Sequence, residues 1–449
     1  MQNITIDDIR RSLRNDNPWW DQGKPISTYR GLAKRIPFAE IYHFWRGKRP
    51  RAIVLYGPRR VGKTVILQQC VEAALKDGTD PTEILYVPGD NPAYGFTSLQ
   101  GLMDVFREQF GHAREKRLYV LIDEVQYLRD WERHLKVLID NFPHCRFIAS
   151  GSAAAALRRK SRESGAGRFT DWPLPPLTFP EYLVLSEKGD LNIDWAGATI
   201  GSATTGDMDA LNRHFVDYLN AGGFPEVVAN PDMQASLTQH IGSDIIDKVL
   251  LKDLPSLYGI DDPSELQRFF SMLALNTGQE LRLDDLSRVS GLAKNTIKKY
   301  FEFLEAAFLI KRVFRIDQTS RTMKRQTHFK VYVTSPSLRA AIWGPVTAEE
   351  TDVLGHLVET AVANHLLTEH VRGVVSYLRD DEGEVDFVTL PASLGHRRPF
   401  AVREVKWSDR AFNAPERELA RLLAYCRLNK VKHAEVLTKS SDGKKVADG

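Results

Sequence analysis

The stretch Gly57-Pro58-Arg59-Arg60-Val61-Gly62-Lys63-Thr64 is a complete phosphate-binding loop, and its flanks leave it one place to sit. The apolar run at residues 52–56 predicts a buried strand, and residues 65–70 predict the start of a helix. Glycines in such a turn let backbone N–H groups approach phosphate oxygens. The helix N-terminus adds further donors and a partial positive charge. Lys63 is expected to reach the β- and γ-phosphates, and the Thr64 hydroxyl to ligate Mg²⁺. A nucleoside triphosphate is the ligand this pattern calls for.

A second element of the same site follows. Residues 118–122 are apolar throughout and end in Asp123-Glu124. A carboxylate closing a buried parallel strand lies beside the phosphate loop and can hold Mg²⁺ through water, the role expected of Asp123. The adjacent Glu124 suits the polarisation of an attacking water. It makes a small-molecule kinase the poorer reading, because it serves water better than a substrate hydroxyl. Residues 146–149 predict another strand, running into Ser150-Gly151-Ser152. A hydroxyl there, Ser152 among them, can sense the γ-phosphate or simply cap a turn. The chain has no Asn-Lys-x-Asp guanine signature, which points to ATP rather than GTP.

At 449 residues, two or three domains are expected. A net charge of +3 excludes a globally basic nucleic-acid binder, so any such surface must be local. Three separated cysteines, Cys70, Cys145 and Cys426, form neither a metal motif nor a disulfide framework, as in a reducing cytosol. No stretch reaches membrane-spanning length, so a cytoplasmic protein without membrane contact is expected. Residues 1–50 read as a lead-in, whose Trp19-Trp20 pair can pack on the next domain or line an adenine pocket. From there the pattern predicts an α/β domain over 51–209, with 189–209 as a surface loop, then a helical segment over 210–260. Residues 261–345 carry helix-turn-helix grammar. Ile297, Phe301 and Leu304 share one face of the second helix, and Lys294, Lys298 and Lys299 fall towards another. The basic excess over 311–330 (Arg312, Arg315, Arg321, Lys324, Arg325 and Lys330 against Asp317) keeps DNA open as a partner. A structural or protein-contact module is the alternative.

Residues 346–449 hold another constellation. Glu359 lies on an apolar-periodic helix, Asp386 on a strand, and Glu404-Val405-Lys406 closes the next strand, with Glu404 and Lys406 on one face. Carboxylates converging beside a lysine suit metal-dependent phosphodiester hydrolysis, with Glu359, Asp386 and Glu404 as metal ligands and Lys406 positioning water. The order Glu…Asp…Glu-x-Lys resembles that of the PD-(D/E)xK nuclease fold. Three readings stay open: an active metal site, the same fold kept for binding only, and a hairpin edge with a surface ion pair.

Taken together, the motifs resemble a family of prokaryotic AAA+-like ATPases with an uncharacterised nuclease-like C-terminal domain. The resemblance rests on Asn17-Pro18-Trp19-Trp20, residues 57–64, Asp123-Glu124-Val125-Gln126 with Asp130-Trp131-Glu132, and Ser150-Gly151-Ser152. It extends through Gly167-Arg168, residues 175–183, Gly222-Gly223-Phe224-Pro225-Glu226, residues 384–387 and residues 404–406. It implies that Arg168 stabilises charge on the transferring phosphoryl group. One departure is clear: members place an aspartate in a Tyr-x-x-Asp pattern after the winged helix, whereas Val331-Tyr332-Val333-Thr334-Ser335-Pro336 has no acid. The expected architecture is α/β: an AAA+-like parallel-sheet domain, a helical and winged-helix segment, and an α/β restriction-nuclease-like domain. The expected cofactors are ATP and Mg²⁺. Nucleotide would act as a switch over a DNA-directed nuclease-like domain. The alternative is an ATP-dependent regulatory scaffold whose nuclease-like domain only binds a partner protein, and an oligomer is compatible with either.

Overall fold

Alternating apolar strands and helices between residues 52 and 173 assemble into a sheet of five parallel strands. They are β1 (Ala52–Tyr56), β2 (Ile84–Pro88), β3 (Tyr119–Asp123), β4 (Arg146–Gly151) and β5 (Phe169–Pro173), in the order β2-β3-β4-β1-β5. The computed structural model describes residues 4–47, 51–151, 167–186, 194–195, 203–204, 206–320, 327–368, 373–392, 398–444 and 446. The chain divides into two compact units, Met1–Pro175 and Pro176–Gly449. Strands β1, β3 and β4 are buried along their whole length, which is why each has an apolar middle with no polar alternation. Their C-terminal ends lie side by side, bringing together residues 57–64, Asp123 and Ser150.

The outer edge of β2 is covered by the N-terminal segment. The Asn17 side chain accepts from the Tyr86 N–H at 2.7 Å and donates to the Tyr86 carbonyl at 2.9 Å, taking the place of a neighbouring strand. Both indole N–H groups, from Trp19 and Trp20, donate to the Ile84 carbonyl at 3.2 and 2.8 Å. Trp20 also stacks on Phe106 at 5.4 Å. Of the two sequence readings of this tryptophan pair, the structure takes packing. Satisfying an exposed sheet edge in this way removes a template for unwanted pairing.

In the second unit, Asp194–Trp195 and Ala203–Thr204 pair as β6 and β7, and the rest of residues 189–209 lies largely outside the described residues. The main sheet here has seven strands. They are β8 (Glu280–Arg282), β9 (Ile310–Ile316), β10 (His328–Val333), β11 (Gly373–Asp380), β12 (Gly383–Pro391), β13 (Ala401–Val405) and β14 (Glu435–Leu437). Their order is β14-β13-β12-β11-β9-β10-β8. The parallel pairing of β9 with β11 carries the sheet across residue 345, so the segments read from sequence as 261–345 and 346–449 share one hydrogen-bonded core. Helix Thr351–Thr368 links β10 to β11.

The helix-turn-helix grammar is realised by helix Leu283–Ser290, a left-handed Gly291, and helix Lys294–Ala306. Its buried face carries Ile297, Phe301 and Leu304, with the Phe301 ring against Phe269 and Phe329. Leu281, just before the first of these helices, belongs to β8, where it pairs with Phe329. The basic stretch is not an open cationic face. Arg312 pairs with Glu305 at 2.7 Å and Arg315 approaches Glu280 at 3.6 Å, while Lys330 is buried. Arg321, Lys324 and Arg325 lie outside the described residues. No described helix is long and apolar enough to cross a membrane.

The Asn17 cap supplies a test of the first unit. Asn17→Ala leaves the Tyr86 N–H and carbonyl without their side-chain partner. It is expected to destabilise the unit by about 1–3 kcal/mol in urea unfolding, with little change in slope.

Candidate functional site

Two sites emerge, one in each unit. In the first, Gly57 follows β1 so closely to Leu174 that a Cβ would lie 2.0 Å from its carbonyl oxygen, and Gly62 has φ 92°. Both positions therefore exclude a side chain for steric or conformational reasons. Helix Lys63–Lys76 starts immediately afterwards. The Lys63 ammonium is buried and donates to the loop's own carbonyls, Pro58 at 2.8 Å and Gly57 at 3.1 Å. Burial pushes its pKa down, opposed by Glu124 and Asp123. The loop is braced by Arg35, whose guanidinium donates to the Val61 and Pro175 carbonyls at 3.0 and 2.8 Å.

Asp123 closes β3 and is also buried. Its carboxylate accepts from the Ser150 hydroxyl and from the Tyr86 hydroxyl at 2.9 Å, and Thr64 stands near enough to favour its charged form. Burial raises its pKa, and these hydrogen bonds oppose the rise. The hydroxyl and carboxylate expected to share Mg²⁺ are thus neighbours. This set of hard oxygen donors beside a phosphate loop fits a magnesium nucleotide. Glu124 has a left-handed backbone, φ 45°, and its N–H donates to the Asp123 carboxylate and the Ser150 hydroxyl, both at 3.2 Å. That conformation turns the Glu124 side chain out of the strand direction, where its carboxylate accepts from the Gln126 amide.

Arg168 is not brought to this loop in its own chain. It precedes β5, whose Phe169 is in register with Ala52, whereas the loop follows Tyr56. The length of a five-residue strand, about 16 Å, separates the two ends. There Arg168 pairs with Asp140 at 2.7 Å. Ser152 lies outside the described residues. Ser150 is the hydroxyl that meets the acidic pair.

The second site lies in the seven-stranded sheet. It opens on a cavity of about 520 Å³ that Glu359, Glu384, Asp386, Glu404 and Lys406 help to line. Lys406 reaches back to Glu404 at 2.7 Å, as the period-2 reading of β13 requires. Asp386 accepts from the Val405 N–H at 2.9 Å, and its own N–H donates to Glu404 at 3.3 Å. Among the described residues, the carboxylates offering oxygens within 4.8 Å of one another are Glu359, Glu384 and Asp386. Glu384 stands two residues before Asp386, so strand periodicity would have placed it on the same face. Burial pushes Glu359 up to about 7, opposed by Lys330, and burial together with Asp386 pushes Glu404 up to about 7.

Lys330 is the residue that sequence reasoning placed elsewhere. Counted with a basic surface run, it is only 3% exposed and points into the acidic cluster from β10. Its ammonium lies 2.7 Å from Glu359, contacts Glu384, and is 3.8 Å from Asp386. Tyr332, on the same face of β10, donates to the same Glu359 oxygen at 2.6 Å. Burial alone would lower the Lys330 pKa; the three carboxylates outweigh it and raise it.

Residues 49–183 match a family described as an AAA domain, and residues 212–349 match a domain of unknown function. An uncharacterized protein of Haemophilus influenzae is 26% identical over 369 residues, covering 81% of this chain and 83% of the relative. One from Methanocaldococcus jannaschii is 23% identical over 387 residues, covering 81% and 79%. Among solved structures, C. elegans PCH-2 aligns at a TM-score of 0.33 and 14% identity over 46% of this chain and 65% of its own. The replication initiator DnaA bound to AMPPCP and single-stranded DNA aligns at 0.29 and 14%, over 60% and 86%. The sheet order, the phosphate loop with its acidic partner, and the matched domain make the first site that of a P-loop AAA+-like domain.

This geometry separates two substitutions. Lys63→Ala is expected to weaken ATP binding by about 1.5–3 kcal/mol, roughly ten- to a hundredfold in Kd. Arg168→Ala is expected to leave the Kd of the isolated chain unchanged. Titration with a fluorescent ATP analogue reads both.

Proposed function

We propose that the chain is an AAA+-like ATPase that uses nucleotide as a switch over a nuclease-like C-terminal site acting on DNA. The observation that carries the first half is the buried Asp123 carboxylate, hydrogen-bonded by Ser150 and Tyr86, at the end of a strand beside the Lys63 loop. Residues 57–64 would cradle the triphosphate. Lys63 would exchange its carbonyl partners for phosphate oxygens, and Thr64 and Asp123 would hold Mg²⁺, which supplies positive charge to the phosphates. Glu124, freed from Gln126, would orient the attacking water. Arg168 would enter this chemistry only from a neighbouring subunit.

Support for the second half comes from the order helix, three antiparallel strands, helices and a parallel strand over residues 351–437, with acids and Lys406 meeting at one cavity. Glu359, Glu384 and Asp386, whose oxygens converge, form an all-oxygen donor set suited to Mg²⁺ or Mn²⁺, and Glu404 stands beside it as the partner of Lys406. A divalent ion there would supply charge to a scissile phosphate. Lys406, anchored on Glu404, is the group available to position water or phosphate. The helix-turn-helix and its strands would present Lys298 and Lys299, both exposed, to a DNA backbone as a winged helix does.

Two measurements test these halves separately. Glu124→Gln should retain ATP binding while lowering phosphate release by about 10²- to 10⁴-fold. Wild-type protein should cleave plasmid or linear DNA with Mg²⁺ or Mn²⁺, with the rate changed by ATP and lost in Asp386→Ala and Lys406→Ala. ATP turnover without cleavage under any of these conditions would instead leave an ATPase whose C-terminal site only binds.

A further inference from the structure

The three carboxylates that converge closely enough to share an ion are the same three that surround the Lys330 ammonium. This coincidence is specific. Lys406, the other lysine at the cavity, is partly exposed and pairs with Glu404, outside that trio. Lys330 comes from β10, separated from the acid-bearing β12 by two intervening strands, and is held so that its side chain is almost wholly buried. The Tyr332 hydroxyl and the Lys330 ammonium both donate to one oxygen of Glu359, fixing the helical acid towards the strand acids.

We infer that Lys330 is the resident cation of this cluster, and that a divalent ion takes Glu359, Glu384 and Asp386 only in competition with its ammonium. The inference rests on the metal reading of the same carboxylates. Its physical basis is simple. An ammonium and a divalent ion require the same few oxygens, and at low dielectric two cations within one oxygen triangle repel strongly. The lysine also prevents three neighbouring carboxylates from repelling one another when no ion is bound. It therefore keeps the ligands gathered while lowering their affinity for metal. Seven carboxylates face two ammoniums and three guanidiniums at this cavity, so removing Lys330 leaves a more negative site with the same oxygen ligands.

Calorimetric titration of Mn²⁺ into the full chain tests this without reference to catalysis. Lys330→Gln should bind Mn²⁺ at least tenfold more tightly than wild type, and its melting temperature should rise with Mn²⁺ far more than that of wild type. Both gains should vanish when Asp386→Asn is added. Should Lys330→Gln unfold without metal, Mn²⁺ should restore its melting transition while leaving that of wild type little changed, and failure to restore it would overturn the competition. Equal Mn²⁺ affinity in wild type and Lys330→Gln, lost in Asp386→Asn, would overturn the competition and leave the metal reading intact. Absence of binding in every protein would overturn both.

Discussion

The buried pairing of Lys330 with Glu359, Glu384 and Asp386 is the interaction on which the second unit turns. It joins β10, β12 and helix Thr351–Thr368, elements from both sides of residue 345, through charges with little access to water. Such a group is costly to bury and costlier to break. Removing one partner from a buried ion pair strands the other and typically costs about 3–5 kcal/mol. The sheet and the cluster therefore constrain each other: β9 pairs with β11 in a register that leaves β10 directed at the acids, and the acids hold β10 there. A hairpin edge with a surface ion pair would require solvated carboxylates, whereas Glu359, Asp386 and Glu404 are all buried.

What the chain reveals about itself before folding follows from how local each signal is. The phosphate loop is legible because strand, glycines, lysine and helix are contiguous, and the steric demand at Gly57 arises within its own unit. The Glu404–Lys406 contact is legible because it depends only on strand periodicity, and Glu384 could have been found from Asp386 by the same rule. Lys330 could not. Its neighbours 329–333 alternate as any strand would, and its partners are 29 residues away or more, so only the register of the whole sheet reveals that its charge is internal. Asn17, Trp19 and Trp20 are a similar case. Their partners are backbone groups of β2, which leave no trace in side-chain pattern. Arg168 is a different case: its role is implied by resemblance, and only strand direction shows that, within its own chain, it stands at the opposite end of β1 from the phosphate loop.

The two buried lysines make a useful contrast, because equal burial yields opposite electrostatic outcomes. Lys63 is held mainly by neutral carbonyls of its own loop, and desolvation lowers its pKa despite Asp123 and Glu124. Lys330 is surrounded by anions, which reverse the same penalty. A ligand must meet each lysine differently. An incoming phosphate supplies Lys63 with the negative charge that its carbonyls lack, so binding relieves an unfavourable burial. Nothing comparable awaits Lys330, whose charge is already compensated. A ligand that improves matters at its site must be positive and must offer the carboxylates more than an ammonium does. The first lysine is thus arranged to receive an anion and the second to contest a cation, a difference set by the few oxygens around each.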